Sequence, residues 1–217
     1  MTAEASKDKF LRLFPGGFTD PKYLTDERNY KFAAHGTWCE LLNQEEFENL
    51  LEAEQFQEIC RRALQVESKT SLMLSRFEKS ALREAFTREK AAPMFAWGLF
   101  ELIYGEGDFQ NRFEEFALDL GTLTSKQTSP YKWTIATIFP FLALPKVHIY
   151  LKPEVTKAAA KRRRFSLNYK PELNWLTYSC LLRFAEALSE EVADLNPRDM
   201  IDIQSYIWVT EFYENDS

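Results

Sequence analysis

Seven glycines in 217 residues set the tightest limit on what this chain can fold into. At the usual frequency of about 7%, a chain of this length carries about 15. Glycine supplies the positive-φ positions that tight turns require. A sandwich, a propeller or a glycine-fingerprint nucleotide fold is therefore short of its turn residues. Helices remain, and the punctuation of the chain fits them. Asp20-Pro21 offers an N-cap followed by Pro at N1, and Tyr23, Glu27, Tyr30, Ala34, Trp38 and Leu41 follow at helical spacing. Asn43 is positioned to cap a second helix over 44–65, and Asp108 caps one that ends at Gly121. Further helices are predicted over 71–89, 93–104, 154–165, 171–195 and from Pro197 through Phe212, with Trp175 and Trp208 on buried stripes. Residues 1–9 read as frayed, and 10–18 as an apolar arm ending in a Pro-Gly-Gly turn.

Hydrophobic residues make up 45% of the chain, with 18 Phe, 9 Tyr and 5 Trp, so a sizeable core is available. The expected fold is mainly α, an irregular helical bundle with at most a short two-stranded β element around 133–151. There, β-branched and aromatic residues crowd a short apolar run. The polar loop 122–130 marks a boundary between an N-terminal helical part, 1–121, and a C-terminal helical part, 122–217, within one compact domain.

The net charge of −6 gives no global attraction to nucleic acid, so any polyanion contact needs a local basic patch. Cys39, Cys60 and Cys180 are sparse and odd in number, which reads as reduced thiols of a cytoplasmic protein. The most apolar run, 133–144, is too short to span a bilayer, and no membrane association is expected.

Several strings carry a resemblance. They are Ser75-Arg76-Phe77-Glu78-Lys79-Ser80-Ala81-Leu82, Trp133-Thr134-Ile135-Ala136-Thr137-Ile138-Phe139-Pro140, Tyr150-Leu151-Lys152-Pro153, Asn174-Trp175-Leu176-Thr177-Tyr178 and Pro197-Arg198-Asp199-Met200-Ile201-Asp202-Ile203-Gln204-Ser205-Tyr206-Ile207-Trp208-Val209. Over roughly residues 70–210 the chain resembles a family of bacterial hypothetical proteins. The resemblance implies a bacterial, intracellular protein and brings no activity, cofactor or catalytic residue with it.

The strongest candidate for chemistry is the basic stretch Lys152, Lys157, Lys161, Arg162, Arg163 and Arg164, with Lys170, Trp175 and Tyr178 close behind. On a helix begun by Pro153, residues Lys157, Lys161 and Arg164 share a face. Phosphate neutralisation beside aromatic stacking is the physical recipe for single-stranded nucleic-acid contact. The bland alternative is a solvated face that balances the acidic segment 40–60, which carries seven Glu and no cation before Cys60. A candidate polar site joins Glu78 and Lys79 to Arg198, Asp199, Asp202 and Gln204. Two carboxylates at i, i+3 suit a divalent ion or acid–base work, although acids in a first helical turn commonly serve as caps. His35 and Cys39 have a zinc-compatible spacing without further ligands. Glu67-Ser68-Lys69 has the letters of a nuclease motif but lies in a helix-end turn. No P-loop, nucleophile elbow or kinase motif occurs. The expected function is thus a non-enzymatic binding module for nucleic acid or another polyanion. The alternatives are a protein-interaction or self-association module using the acidic helix 44–60, and an enzyme with its site near Asp199 and Asp202. No metal, cofactor or catalytic residue is assigned.

Overall fold

The computed structural model describes residues 3–70, 72, 76–126 and 128–213. The chain is all-α, and no strand occurs among the described residues. In order, the helices are α1 (Ala3–Leu13), α2 (Pro21–Tyr23), α3 (Asn29–Leu41), α4 (Gln44–Glu52), α5 (Phe56–Glu67), α6 (Arg76–Phe86), α7 (Ala91–Tyr104), α8 (Phe109–Thr122), α9 (Trp133–Ala143), α10 (Pro153–Arg162), α11 (Trp175–Glu191) and α12 (Met200–Phe212). The start of the helix predicted from Ser71, with Leu74, lies outside the described residues.

Residues 3–9 of the segment predicted as frayed are helical, because α1 and the residue after it lay Phe10 and Phe14 against Tyr23 and Tyr206 in a cluster of edge-on rings. Lys9 donates to the carbonyls of Thr210 and Tyr213 at the C-terminal end of α12, where a cation meets the negative pole of the helix. Asp20 caps α2 as expected and accepts from the amides of Lys22 and Tyr23. A π-turn over Leu24–Arg28 then joins α2 to α3. The extra residue re-phases the helix and turns Arg28 and Lys31 into the interior beside the buried Glu27.

The single helix predicted over 44–65 is two. Its break is a tight C-cap: Glu54 sits at φ 54°, and the Gln55 amide reaches back to the Leu50 carbonyl at 2.8 Å. Gly121, predicted to stop α8, lies inside it, and the helix runs on to Thr122. Residues 133–143, open to a strand reading, form α9. It is helical despite Pro140, and Ile135–Ala143 are buried all round. Residues 148–151 lie in neither a helix nor a strand. One continuous apolar core runs from Phe10 to Val209 and crosses the 122–130 loop, so the two halves share it.

Helix α12 lies within this core, with Ile201, Ile203, Tyr206 and Val209 buried on different sides of it. Trp208 and Trp175 differ from expectation: both are only partly buried. The three cysteines are free. Cys39 is exposed, whereas Cys60 and Cys180 are buried, and burial pushes the Cys60 thiol up to about 12. A thiol reagent should therefore label Cys39 alone in the native protein and all three cysteines after denaturation. Prompt native labelling of Cys60 or Cys180 would contradict this packing. No helix among the described residues is long and apolar enough to cross a membrane.

Candidate functional site

Helix α10 begins with Pro153 at N1, where a missing N–H costs nothing. Two small buried residues, Ala159 and Ala160, then let it pack closely on α12. It ends at Arg162. The next two residues close a Schellman turn, with Phe165 N–H on the Ala160 carbonyl and Arg164 N–H on the Lys161 carbonyl. Arg164 holds φ 52°, so it lies past the helix end and does not continue the face of Lys157 and Lys161 as the spacing suggested.

The basic stretch separates into two groups. Arg162 makes a two-pronged pair with Glu211, both contacts at 2.8 Å. That hydrogen bonding outweighs burial and holds its pKa above the ordinary value. Arg163 does the same with Glu191 at 2.7 and 2.9 Å, and its side chain is only 8% exposed. Burial works against the Arg163 charge, and the Glu191 hydrogen bonds and charge overcome it. These arginines bolt α10 to α12 and α11, so they leave the set of phosphate ligands. The internal counter-ions of the basic helix are thus Glu211 and Glu191. The acidic segment 40–60 finds its own in Arg62 of α5, which pairs with Glu46 and Glu58.

Lys161, Arg164 and Lys170 are exposed. Lys152 sits 4.2 Å over the Trp208 ring, and Trp208 stacks on the exposed Phe212 at 4.1 Å. Burial lowers the Lys152 pKa, opposed by the charge of Glu78. Lys157 pairs with Glu154 at 2.6 Å and lies 4.9 Å over Tyr169. Of the two aromatics chosen from sequence, Tyr178 is fully buried. It stacks on Phe113 at 4.6 Å and shares a 2.9 Å hydrogen bond with His148, so it has no face to offer a ligand. Trp175 packs beside it against Phe109 and Phe113. The aromatics that do flank the cations are Tyr169, Trp208 and Phe212. The i, i+4 spacing of Trp208 and Phe212 was the signal for them.

A cleft of about 430 Å³ opens between α6, α9 and the start of α10. Its walls include Glu78, Thr134, Tyr150, Lys152, Val155 and Tyr169. Glu78 is buried and accepts from the Thr134 hydroxyl at 2.7 Å. Tyr150 donates to the Leu72 carbonyl at 3.1 Å. A second cavity, about 410 Å³, lies between α5 and α6 beside Arg61 and Arg83. Arg61 there is held by Glu58 and Gln65.

The polar site drawn from sequence is not assembled. Lys79 pairs with Glu67 at 2.8 Å, and Glu78 belongs to the cleft. Asp199 is the N-cap of α12, accepting from the amides of Ile201 and Asp202, and it takes a two-pronged pair from Arg28. The hydrogen bonds and charge of Arg28 hold its carboxyl below the ordinary value against the burial that would raise it. Asp202 is fully buried and accepts from Tyr23 at 2.6 Å, from Arg28 at 2.8 Å and from both the backbone and the guanidinium of Arg198. With its oxygens so occupied, this pair has no room for a divalent ion or a substrate proton. It ties α2 and the π-turn to α12. Gln204 is buried on α12, and its Oε1 meets no donor among the described residues.

His35 and Cys39 close on one another at 3.7 Å, and no group of three metal-ligating side chains occurs among the described residues. Comparison of the chain with protein-family models, with curated proteins and with solved structures gives no match.

Proposed function

We propose that the surface around α10 is a binding site for single-stranded nucleic acid, and that the protein is a binding module. The observation that carries this reading is the pairing of cations with ring faces there. Lys152 stands on the Trp208–Phe212 stack and Lys157 stands on Tyr169, with Lys161, Arg164 and Lys170 exposed nearby. Backbone phosphates are neutralised by the cations while unstacked bases lie on the rings. A duplex hides its base faces and gains only the phosphate attraction, so single strands bind better. The protein's net charge of −6 repels the rest of the strand and makes the contact local and salt-sensitive.

Titration of labelled single- and double-stranded oligonucleotides at several salt concentrations tests this. Replacing Lys161, Arg164 and Lys170 by Ala should weaken binding about equally across sequences. It should also reduce the slope of log affinity against log salt by about 0.7 for each single-strand phosphate that goes unneutralised. Trp208→Ala should weaken single strands by roughly 1–3 kcal/mol and duplexes much less. Absence of single-strand binding at low salt, or a triple variant that binds like wild type, rules out the site.

A further inference from the structure

The cleft beside α10 holds chemistry that a phosphate-binding surface does not require. A basic face gains nothing from a buried acid, yet Glu78 stands in the cleft wall only 8% exposed, in the same lining as Lys152. Its volume of about 430 Å³ falls in the range of small-ligand sites, about 300–1,000 Å³. A carboxylate has about four acceptor positions, and the Thr134 hydroxyl takes one on Oε1. Tyr169 and Lys152 line the same cleft, as does Glu154, which pairs with Lys157.

The geometry points to a pocket for one nucleotide of the bound strand. The base lies against Tyr169, its amino-bearing edge donates to Glu78, and its phosphate rests on Lys152 and Lys157. This inference rests on the single-strand reading above and adds base selectivity to it. A carboxylate only accepts, so it favours edges rich in donors. Guanine presents two adjacent ones, a ring N–H and an amino group. Cytosine and adenine each present an amino group beside an acceptor. Thymine flanks its one N–H with two carbonyl oxygens, which a carboxylate repels. The pocket therefore prefers guanine and rejects thymine. The buried position of Glu78 sharpens the difference, because an unmatched acceptor there is not rescued by bulk water.

The test uses the full chain and short oligothymidine strands that carry either one central guanine, cytosine or adenine, or thymine throughout. One guanine should tighten binding about tenfold or more over all-thymine, within the roughly 1–3 kcal/mol of a good base contact. In Glu78→Gln the side chain keeps its shape and the Thr134 contact but offers donors as well as an acceptor. The guanine preference should then shrink to about twofold, while low-salt affinity for all-thymine holds or rises. Tyr169→Leu leaves the acid in place, removes the stacking wall and should also reduce the guanine advantage. It keeps the test decisive should Glu78→Gln fail to fold. Equal binding of all four strands by wild type overturns the pocket and leaves the single-strand surface standing. A guanine preference that persists in either variant places base readout elsewhere and overturns the pocket too. Failure of every strand to bind at low salt overturns both.

Discussion

Replacing Asp202 by Ala should destabilise the protein by about 3–5 kcal/mol, the cost of breaking a buried ion pair by removing one partner. Asp202 has no exposed surface, and its oxygens collect the Tyr23 hydroxyl, the Arg28 guanidinium, and the backbone and guanidinium of Arg198. Truncation leaves Arg28, itself 6% exposed, with Asp199 as its remaining carboxylate, and takes from the buried Tyr23 hydroxyl its carboxylate acceptor. The loss falls on the joint between the N-terminal helices and α12, so urea unfolding should show it as a lower midpoint with the cooperativity kept. Arg28→Met paired with Asp202→Asn in a double-mutant cycle should give a coupling above about 1 kcal/mol. An Asp202→Ala variant within about 1 kcal/mol of wild type would show that the network does not hold this joint.

That network also shows where the sequence stops being readable. The stripe Tyr23, Glu27, Tyr30, Ala34, Trp38 and Leu41 was legible and turns inward, with Tyr30 and Leu41 only partly buried, because helical periodicity is a local property. The burial of Arg28 and Lys31 was not, since it depends on one residue inserted as a π-turn. Inside, Lys31 meets Glu27 at 2.9 Å and Ser205 at 2.7 Å, a partner 174 positions away. Burial lowers the Lys31 pKa against the opposing pull of Glu27. The caps at Asp20, Asn43 and Asp108 were legible because a capping side chain bonds amides two or three residues on. The break at Glu54 was hidden. The turn needs a left-handed residue, and a glutamate occupies a place where glycine would have announced it.

For the candidate site, charge was legible and pairing was not. Four consecutive cations at 161–164 read as one patch, but Arg162 and Arg163 find carboxylates 49 and 28 residues away. Helical phase decides the split. Ala159 and Ala160 face the core, so Arg162 and Arg163 sit over the seams to α12 and α11, while Lys161 points outward. Asp199 and Asp202 were correctly open to a capping role, and the geometry makes Asp199 the cap. The placement of Lys152 on Trp208 joins residues 56 apart, a contact that only the packing of α10 on α12 creates.

Acidification should cost this protein about 2 kcal/mol of stability between pH 7.5 and pH 5, well before its carboxylates titrate. The cause is His148. It is 4% exposed, stacked on Phe109 at 4.3 Å and hydrogen-bonded through Nδ1 to the buried Tyr178 hydroxyl. Burial first, and the positive charge of Arg112 second, lower its pKa to about 4. In the unfolded chain the imidazole takes its proton near pH 6.5. The folded value is depressed, so the unfolded state binds more protons between about pH 6.5 and 4. His148 then leaves stability undiminished above pH 6.5 and drains it as the pH falls toward 4, to a limit of roughly 3 kcal/mol. Asp199 and Glu58 do not contribute in this window. Their carboxyls are held low, by Arg28 against burial for Asp199 and by hydrogen bonds from Arg61 and Arg62 for Glu58, so their stabilisation is lost only at more acid pH. Urea unfolding at pH 7.5, 6 and 5 measures the slope. His148→Asn keeps an acceptor for Tyr178 and removes the titrating group, so its stability should change little from pH 7.5 to 5 even though it starts lower. A wild type equally stable at pH 7.5 and 5, or an Asn variant with the same acid slope, would mean that His148 is not the proton-linked group.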